Sequence, residues 1–508
     1  MASGDVICRI ADKDTLDEVL SEVRKIGAAV VDASTFDWGA FFKLQATGEL
    51  FATKFYKIAV SETTQGTKMY DSVGLSATPS TLEAKGSDDF SNKNAFWFCD
   101  CNFVVNDNCG AVPTAIEGQS GFTRTGKVDV GILTPPLYYG VREVDDGYIW
   151  YLSDIEQPRE NLKLTLMPHC KNRKTGEPLG YGILPKYYAG EIDGKLYGSS
   201  GLAVKNFVSY QSLNALMQAR GTGYEGAGSE RSIYLKLMLR IKYAYSSSQK
   251  VFLGNTSNNL QYQVAEASEG DYVVLTEAQA ANLYIGETVS IGDFSTGSST
   301  DRGQAVMRNI ADKTRITKID GAKVYVEATG LTIPEGSYIS TMPLHSGTTD
   351  NIQGADGYIA NDGKHAFKLQ GLEEGIGAYY VSQNEMINKE TSTKVVFYNK
   401  NKGAFTTSLS TVQSEWKECG VLERESTADF WIGDVAIDEE TGTEIPVNNS
   451  NGDSSGTGDR CYMGGDGTGT REHLSRGFLW LGSNGGLSCV YCGLSLSFAH
   501  WYCAACVF

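Results

Sequence analysis

From Phe478 to Phe508 the chain reads FLWLGSNGGLSCVYCGLSLSFAHWYCAACVF, without one Asp, Glu, Lys or Arg. A charge-free stretch of this length has few fates: it packs into a core, crosses a membrane, wraps a metal, or is displayed to a partner. The formal net charge of −17 therefore belongs entirely to the residues before Phe478. Cysteine is concentrated here too, since four of the chain's 11 lie at positions 489, 492, 503 and 506.

Each fate has a signature. Cys489-x2-Cys492 and Cys503-x2-Cys506, ten residues apart, have the spacing of a four-thiolate zinc site. Structural zinc, however, is most needed by small units poor in core, and this tail ends a long chain. Residues 489–508 have the length of a membrane span, roughly 20 residues. Yet only Val490, Leu494, Leu496, Phe498, Val507 and Phe508 insert strongly, while His500, two Ser and a Gly oppose them. Tyr, Ser, Phe and His interleaved with Ala and Gly match the composition of an adaptable binding face. An aromatic-rich strand pair inside a core is the plain alternative.

The rest of the chain narrows the function classes. A length of 508 residues suggests two to four domains. The apolar fraction of 41% is enough for sizeable cores. The acidic balance argues against nucleic acid, whose binding rests on clustered Lys and Arg. Five scattered histidines (His169, His345, His365, His473 and His500) leave little for a histidine metal cage. Met1-Ala-Ser-Gly-Asp-Val-Ile-Cys-Arg does not read as a secretory signal, and an odd cysteine count does not suggest a disulfide framework. Cys99, Cys101 and Cys109 read as small buried hydrophobes.

Catalytic motifs are scarce. Gly221-Thr-Gly223-Tyr-Glu-Gly226 matches a dinucleotide-binding pattern, but a helix rather than a strand precedes it. No Walker A sequence, serine elbow or HExxH helix occurs. Glu373-Glu374 and Glu439-Glu440 are adjacent, so on a strand each pair points to opposite faces and suits a solvated surface better than acid/base work.

Along the chain, Asp5–Ile10 reads as a strand and Thr15–Ile26 as an amphipathic helix. From about 50 to 200, short β runs such as Ala95-Phe-Trp-Phe-Cys and Gly147-Tyr-Ile-Trp-Tyr-Leu alternate with Gly, Asp and Asn. Two helices are expected over Phe207–Ala219 and Glu230–Tyr245, the second with Ile233, Leu235, Leu237, Met238 and Ile241 as its apolar positions. Short strands fill 256–350, with Asp320-Gly321 predicted as a hairpin turn. Residues 440–470, rich in Gly, Ser, Thr, Asn and Asp, read as a long exposed loop.

Arg471-Glu-His-Leu-Ser-Arg-Gly-Phe-Leu-Trp-Leu-Gly-Ser-Asn-Gly-Gly-Leu, followed by x-Ala499-x-Trp501-x-x-Ala504-Ala505, resembles the terminal variable region of proteins diversified by retroelements. The helices within 207–245, the Phe367-Lys-Leu-Gln-Gly-Leu-Glu segment and Asp429-Phe-Trp-Ile-Gly-Asp434 also resemble upstream elements of that family. The resemblance covers about 95–255 and 351–508. It implies an α+β chain whose C-terminal domain has a C-type-lectin-like fold, displayed by a phage receptor-binding protein. The organisation it suggests is a virion-attachment region over 1–90, lectin-like parts over 91–255 and 351–508, and a small antiparallel β barrel or sandwich inserted over 256–350.

In that family, adenine-directed mutagenesis of Asn codons yields Phe, Tyr, Cys, His, Ser, Gly, Ala and Val among others, but never Trp, Met, Lys, Glu or Gln. Cys489, Tyr491, Phe498, His500, Tyr502 and Cys503 all fall in the permitted set and are the expected ligand-binding positions. Trp480, Trp501, Ala504 and Ala505 are the expected scaffold. The family carries an Arg near the end of the domain, where this chain has Cys506.

The resemblance further implies a homotrimer without catalytic residues, metal or cofactor. Its partners would be a host cell-surface protein or glycan and other virion proteins, with no nucleic acid and no membrane insertion. Its place would be the virion, assembled in the bacterial cytoplasm. Two alternatives stand beside it: a structural or interaction protein holding zinc through Cys489, Cys492, Cys503 and Cys506, and a glycan-active enzyme using some of the many acidic residues.

Overall fold

The computed structural model describes residues 32–108, 110–294 and 300–508. The strand and helix expected within the first 26 residues, and Cys109, lie outside the described residues. The chain is α+β: many short, mostly antiparallel strands with a few helices between them.

The largest sheet is built on Tyr379–Lys389, an 11-residue strand buried at ten positions. Lys394–Asn399 and Gly469–Ser475 flank it antiparallel. The sheet continues outward through Val490–Tyr491, Arg460–Tyr462 and Phe430–Trp431. At one end of the long strand, Cys503–Ala504 adds in parallel, Tyr379 opposite Cys503 and Tyr380 opposite Ala504. A register shift between Val381 and Met386 bends the strand away from Gly469–Ser475.

Two further sheets lie upstream. Phe51–Tyr56 pairs with Gly147–Ser153 and Thr67–Tyr70, and Cys99–Val105 with Ala111–Ile116 and Asp129–Thr134. Residues 261–341 build a six-stranded sheet with its own small core, including Val273, Val289, Ile291, Val324 and Ile339. The hairpin near Asp320 is present, but Asp320 itself pairs with Lys323. Its loop is Gly321-Ala322, and only Gly321 takes positive φ, at 56°.

The two expected helices are Tyr210–Gln218 and Ser229–Met238, and the glycine-rich match between them is their connection. The second helix is buried on every side, including Glu230, Arg231 and Lys236. Its charges survive burial because each finds a counter-charge. Arg231 pairs with Glu374 at 2.5 Å, and Lys236 and Arg240 share Glu444 at 2.8 and 2.9 Å.

Three expectations are corrected. Residues 440–470 are not an exposed loop: Thr443–Pro446 and Arg460–Tyr462 are strands, and Thr441, Glu444, Thr457 and Asp459 are buried. Many of the small polar residues there bond inward, while Asn451, Asp453, Ser454 and residues 464–468 stay exposed. The Ala95–Cys99 run starts in a 3-10 turn over Asn94–Phe96, and the strand begins at Cys99. Glu373 and Glu374 do point apart, but both are buried. Glu373 accepts from the Gly347 and Thr349 amides at 2.9 Å, while Glu374 binds Arg231 and Arg476. Among the described residues, no helix is long and apolar enough to cross a membrane.

Candidate functional site

Side-chain alternation along the last strands sorts the C-terminal residues into two layers. At Val490–Tyr491 the chain pairs with Gly469–Ser475 on one side, Leu474 opposite Tyr491. On the other side it runs parallel to Arg460–Tyr462, Tyr462 opposite Tyr491. Val490 and Cys492 turn into the core with Cys461, Phe430 and Phe397. Tyr491 and Tyr462 turn the other way, partly exposed over the largest core, and their rings lie 6.0 Å apart.

Phe498, His500 and Tyr502, spaced two residues apart, put their rings on one side of the chain. Phe498 stacks on His500 at 4.6 Å and 8°, and His500 on Tyr502 at 4.5 Å and 24°. Tyr502 in turn stacks on Phe478 at 4.6 Å and 28°. Tyr379, buried beneath, joins this four-ring stack to the tyrosine pair: its ring is 5.9 Å from Tyr502 and 5.6 Å from Tyr491. Trp480 stands edge-on to Phe478 at 6.3 Å and is 69% exposed. At the margin, the Arg460 guanidinium lies over Tyr462 and Trp431, 5.5 and 5.7 Å from the ring centres. The result is a neutral aromatic surface with a cationic edge.

The backbone under the rings is held at several points. The Tyr379 amide donates to the Tyr502 carbonyl at 2.7 Å, and the Phe207 amide to the His500 carbonyl at 2.9 Å. Asn206 Nδ2 donates to the Trp501 carbonyl at 2.6 Å, and Lys313 Nζ donates to Asn206 Oδ1 at 3.0 Å. Arg302 covers the Trp501 ring at 5.1 Å, and its Nη2 donates to the Leu260 carbonyl at 2.6 Å. The sheet of residues 261–341 thus braces the stack. Asp459 pins the other approach, accepting from the Gly486 and Ser488 amides at 2.7 and 2.8 Å.

The six expected binding residues divide. Tyr491, His500 and Tyr502 are partly exposed, and Phe498 is exposed. Cys489 and Cys503 are corrected: both are buried, 0% and 5% exposed, and belong to the core. Cys489 shares Tyr491's side of the strand but lies beneath the ring layer, and Cys503 is consumed by its pairing with Tyr379. Trp501, Ala504 and Ala505 are buried, whereas the expected scaffold residue Trp480 is among the most exposed apolar side chains. The Leu481 amide donates to the Phe478 carbonyl at 3.0 Å, closing a turn that carries Trp480.

The four late thiols do not assemble a metal centre. Cys492 sits with Cys461 in one core cluster, and Cys489, Cys503 and Cys506 lie in another. Among the described residues, no three His, Cys, Asp or Glu side chains gather as metal ligands would. Burial raises the Cys489 and Cys503 thiols well above the ordinary range and Cys506 to about 11, so none is a thiolate near neutrality. His500 is lowered, first by burial and against the pull of Asp301, and its Nε2 has no hydrogen-bond partner. Burial thus favours the neutral imidazole in the stack, and its Nε2 is enclosed within the face and not turned to solvent.

Sequence reasoning missed Trp431, Arg460, Tyr462 and Phe478. Trp431, Arg460 and Tyr462 lie on strands two or three residues long, where alternation is too brief to reveal which side chain faces outward, and Phe478 lies on no strand. Chemically, the surface has flat rings and phenol hydroxyls, and no nucleophile among the residues named. No family model matches the chain, and no curated protein is significantly similar to it.

Proposed function

We propose that the protein is a non-enzymatic receptor-binding protein of a phage fibre tip, presenting a diversified aromatic face on a C-type-lectin-like scaffold. The observation that carries the reading is the stack Phe498–His500–Tyr502–Phe478 on a backbone fixed by Phe207, Asn206 and Tyr379. Exchangeable side chains sit on a frame whose own contacts are mainly backbone or buried, so the face varies without refolding the frame. Two of the six expected variable positions withdraw from it, which leaves Tyr491, Phe498, His500 and Tyr502 as the contact set. Trp480 adds a fixed aromatic rim.

The chemistry suits a host surface protein or glycan, whose apolar patches and sugar faces pack on flat rings. Each aromatic side chain fully covered by a partner contributes roughly 1.5–3 kcal/mol before association costs. A few such contacts give modest single-site affinity, which the copies of a homotrimer raise by avidity.

Fluorescently labelled full-length protein applied to intact bacteria of candidate host strains tests the reading. The expected result is saturable binding that Tyr491→Ala with Phe498→Ala weakens at least tenfold while the protein stays folded at the assay temperature. Unchanged binding by that double variant would refute the role of the face. Diversification is tested in the genome: a nearby reverse-transcriptase gene and a near-copy of the final coding segment differing at adenines are expected. Without such a copy the diversification reading falls.

A further inference from the structure

A second cavity, of about 750 Å³, lies among residues none of which belongs to the aromatic face. That volume is within the usual range for small-molecule sites, roughly 300–1,000 Å³. Phe96, Trp97 and Phe98 form one wall, and Ile116 and Ile352 add apolar surface. Its charged groups come from Asp88, Asp100, Glu117, Asp350, Arg124, Lys186 and Lys368. A smaller hollow of about 320 Å³ shares Asp88, Ser91, Gly354 and Ala355 with it, so the cavity continues into a groove.

The charges in this wall are unevenly matched. Asp100 takes Lys186 at 2.5 Å and Arg124 at 2.9 Å, and Arg124 also binds Glu117. Asp88 takes Lys242 at 2.8 Å. Lys368 differs: it is 6% exposed, forms no ion pair among the described residues, and donates only to the Ile352 carbonyl. An ammonium has three donors, so two remain for a ligand. Asp350 is the complementary case, bonded to the Tyr187 and Ser200 hydroxyls but to no cation. It retains acceptor capacity for further hydroxyl groups.

We propose that this cavity binds a carboxylate-bearing sugar ring, with the carboxylate on Lys368, ring hydroxyls on Asp350, and a ring face against the Phe96–Phe98 wall. A buried ammonium without a counter-ion is costly, and a ligand carboxylate relieves that cost where water cannot. Burial and the neighbouring Lys186 lower Lys368 to about 8, against the pull of Asp100, Asp356 and Asp350, none of which is in contact with it, and this still leaves it mostly charged at neutral pH. An acidic sugar satisfies both unmatched groups at once, whereas a neutral sugar leaves Lys368 unpaired. Hexuronic and sialic acids share this chemistry, and groove length decides between them. The site is independent of the aromatic face and stands or falls without it.

Calorimetric titration of the full-length protein with sodium glucuronate, sodium N-acetylneuraminate and glucose, followed also by tryptophan fluorescence, tests the proposal. Saturable binding of at least one acid is expected, with glucose at least tenfold weaker. Lys368→Met should weaken the acid at least tenfold and leave the unfolding midpoint equal or higher, because it removes an unpaired buried charge. Equal binding of glucose, no saturation by either acid up to about 10 mM, or an unaffected Lys368→Met variant would each overturn it. The acid-against-glucose comparison on the unmodified protein decides the matter if the variant fails to fold.

Discussion

Trp501 and Phe498 lie three residues apart on opposite sides of the boundary between frame and face, and substituting each with Ala measures that boundary. Trp501 is 6% exposed, edge-on to Phe478 at 5.9 Å and to Tyr502 at 5.1 Å, with Arg302 over its ring. Truncating a buried Trp costs about 3–5 kcal/mol, the cavity included. Losing the cation–π contact, worth about 0.5–2 kcal/mol, puts Trp501→Ala in the upper half of that range. For a large cooperative unit, at about 2 °C per kcal/mol, the unfolding midpoint should fall by about 8–10 °C. Phe498 is 46% exposed, and its one close ring partner is His500. Its loss costs about 0.5–1.5 kcal/mol, or about 1–3 °C. Differential scanning fluorimetry, checked by far-UV circular dichroism, reads both. Equal shifts for the two variants would refute the division into frame and face.

Glu374→Ala should be among the most damaging single changes, because it strands Arg231 and Arg476, both almost fully buried, with no other carboxylate. The expected cost is at least the about 3–5 kcal/mol of a broken buried pair, read as loss of soluble folded protein. Glu472 is buried without an ion-pair partner among the described residues, and burial raises its carboxyl to about 8. The folded chain thus keeps a proton that the unfolded chain releases near pH 4.5, so stability falls as pH rises through about 4.5 to 8. Glu472→Gln should flatten that fall in midpoints measured from about pH 5 to 9. Thiol labelling of the native protein, mapped by mass spectrometry, should spare Cys489 and Cys503 and reach the partly exposed Cys99 and Cys419 first, though slowly because burial raises both thiols. Rapid labelling of either spared residue would return it to the exposed face.

Local patterns carried part of the fold. The helix pair, the Gly147–Ser153 strand and the hairpin beyond Thr314 were legible because each is a run long enough to show its period or its turn. The 440–470 segment was not, since Ser, Thr and Asp bond as readily inward to backbone as outward to water. Adjacent glutamates gave the same difficulty: opposite faces followed from strand geometry, but two dry faces required the arginines and amides of distant segments.

The sequence by itself determined that the last residues carry no charge, are rich in rings and thiols, and have too few strong inserters for a membrane span. The resemblance singled out Cys489, Tyr491, Phe498, His500, Tyr502 and Cys503 as one face. Only the tertiary structure decided that the rings form the surface while the thiols fill the core. That division depends on which side of a two-residue strand meets the layer below, and on the parallel pairing of Cys503 with Tyr379. It likewise exposed Trp480 and gathered Lys368, Asp350 and the Phe96–Phe98 wall around one cavity. Those residues are far apart in sequence and share no local signal, because a cavity is a property of the packing and not of any one segment.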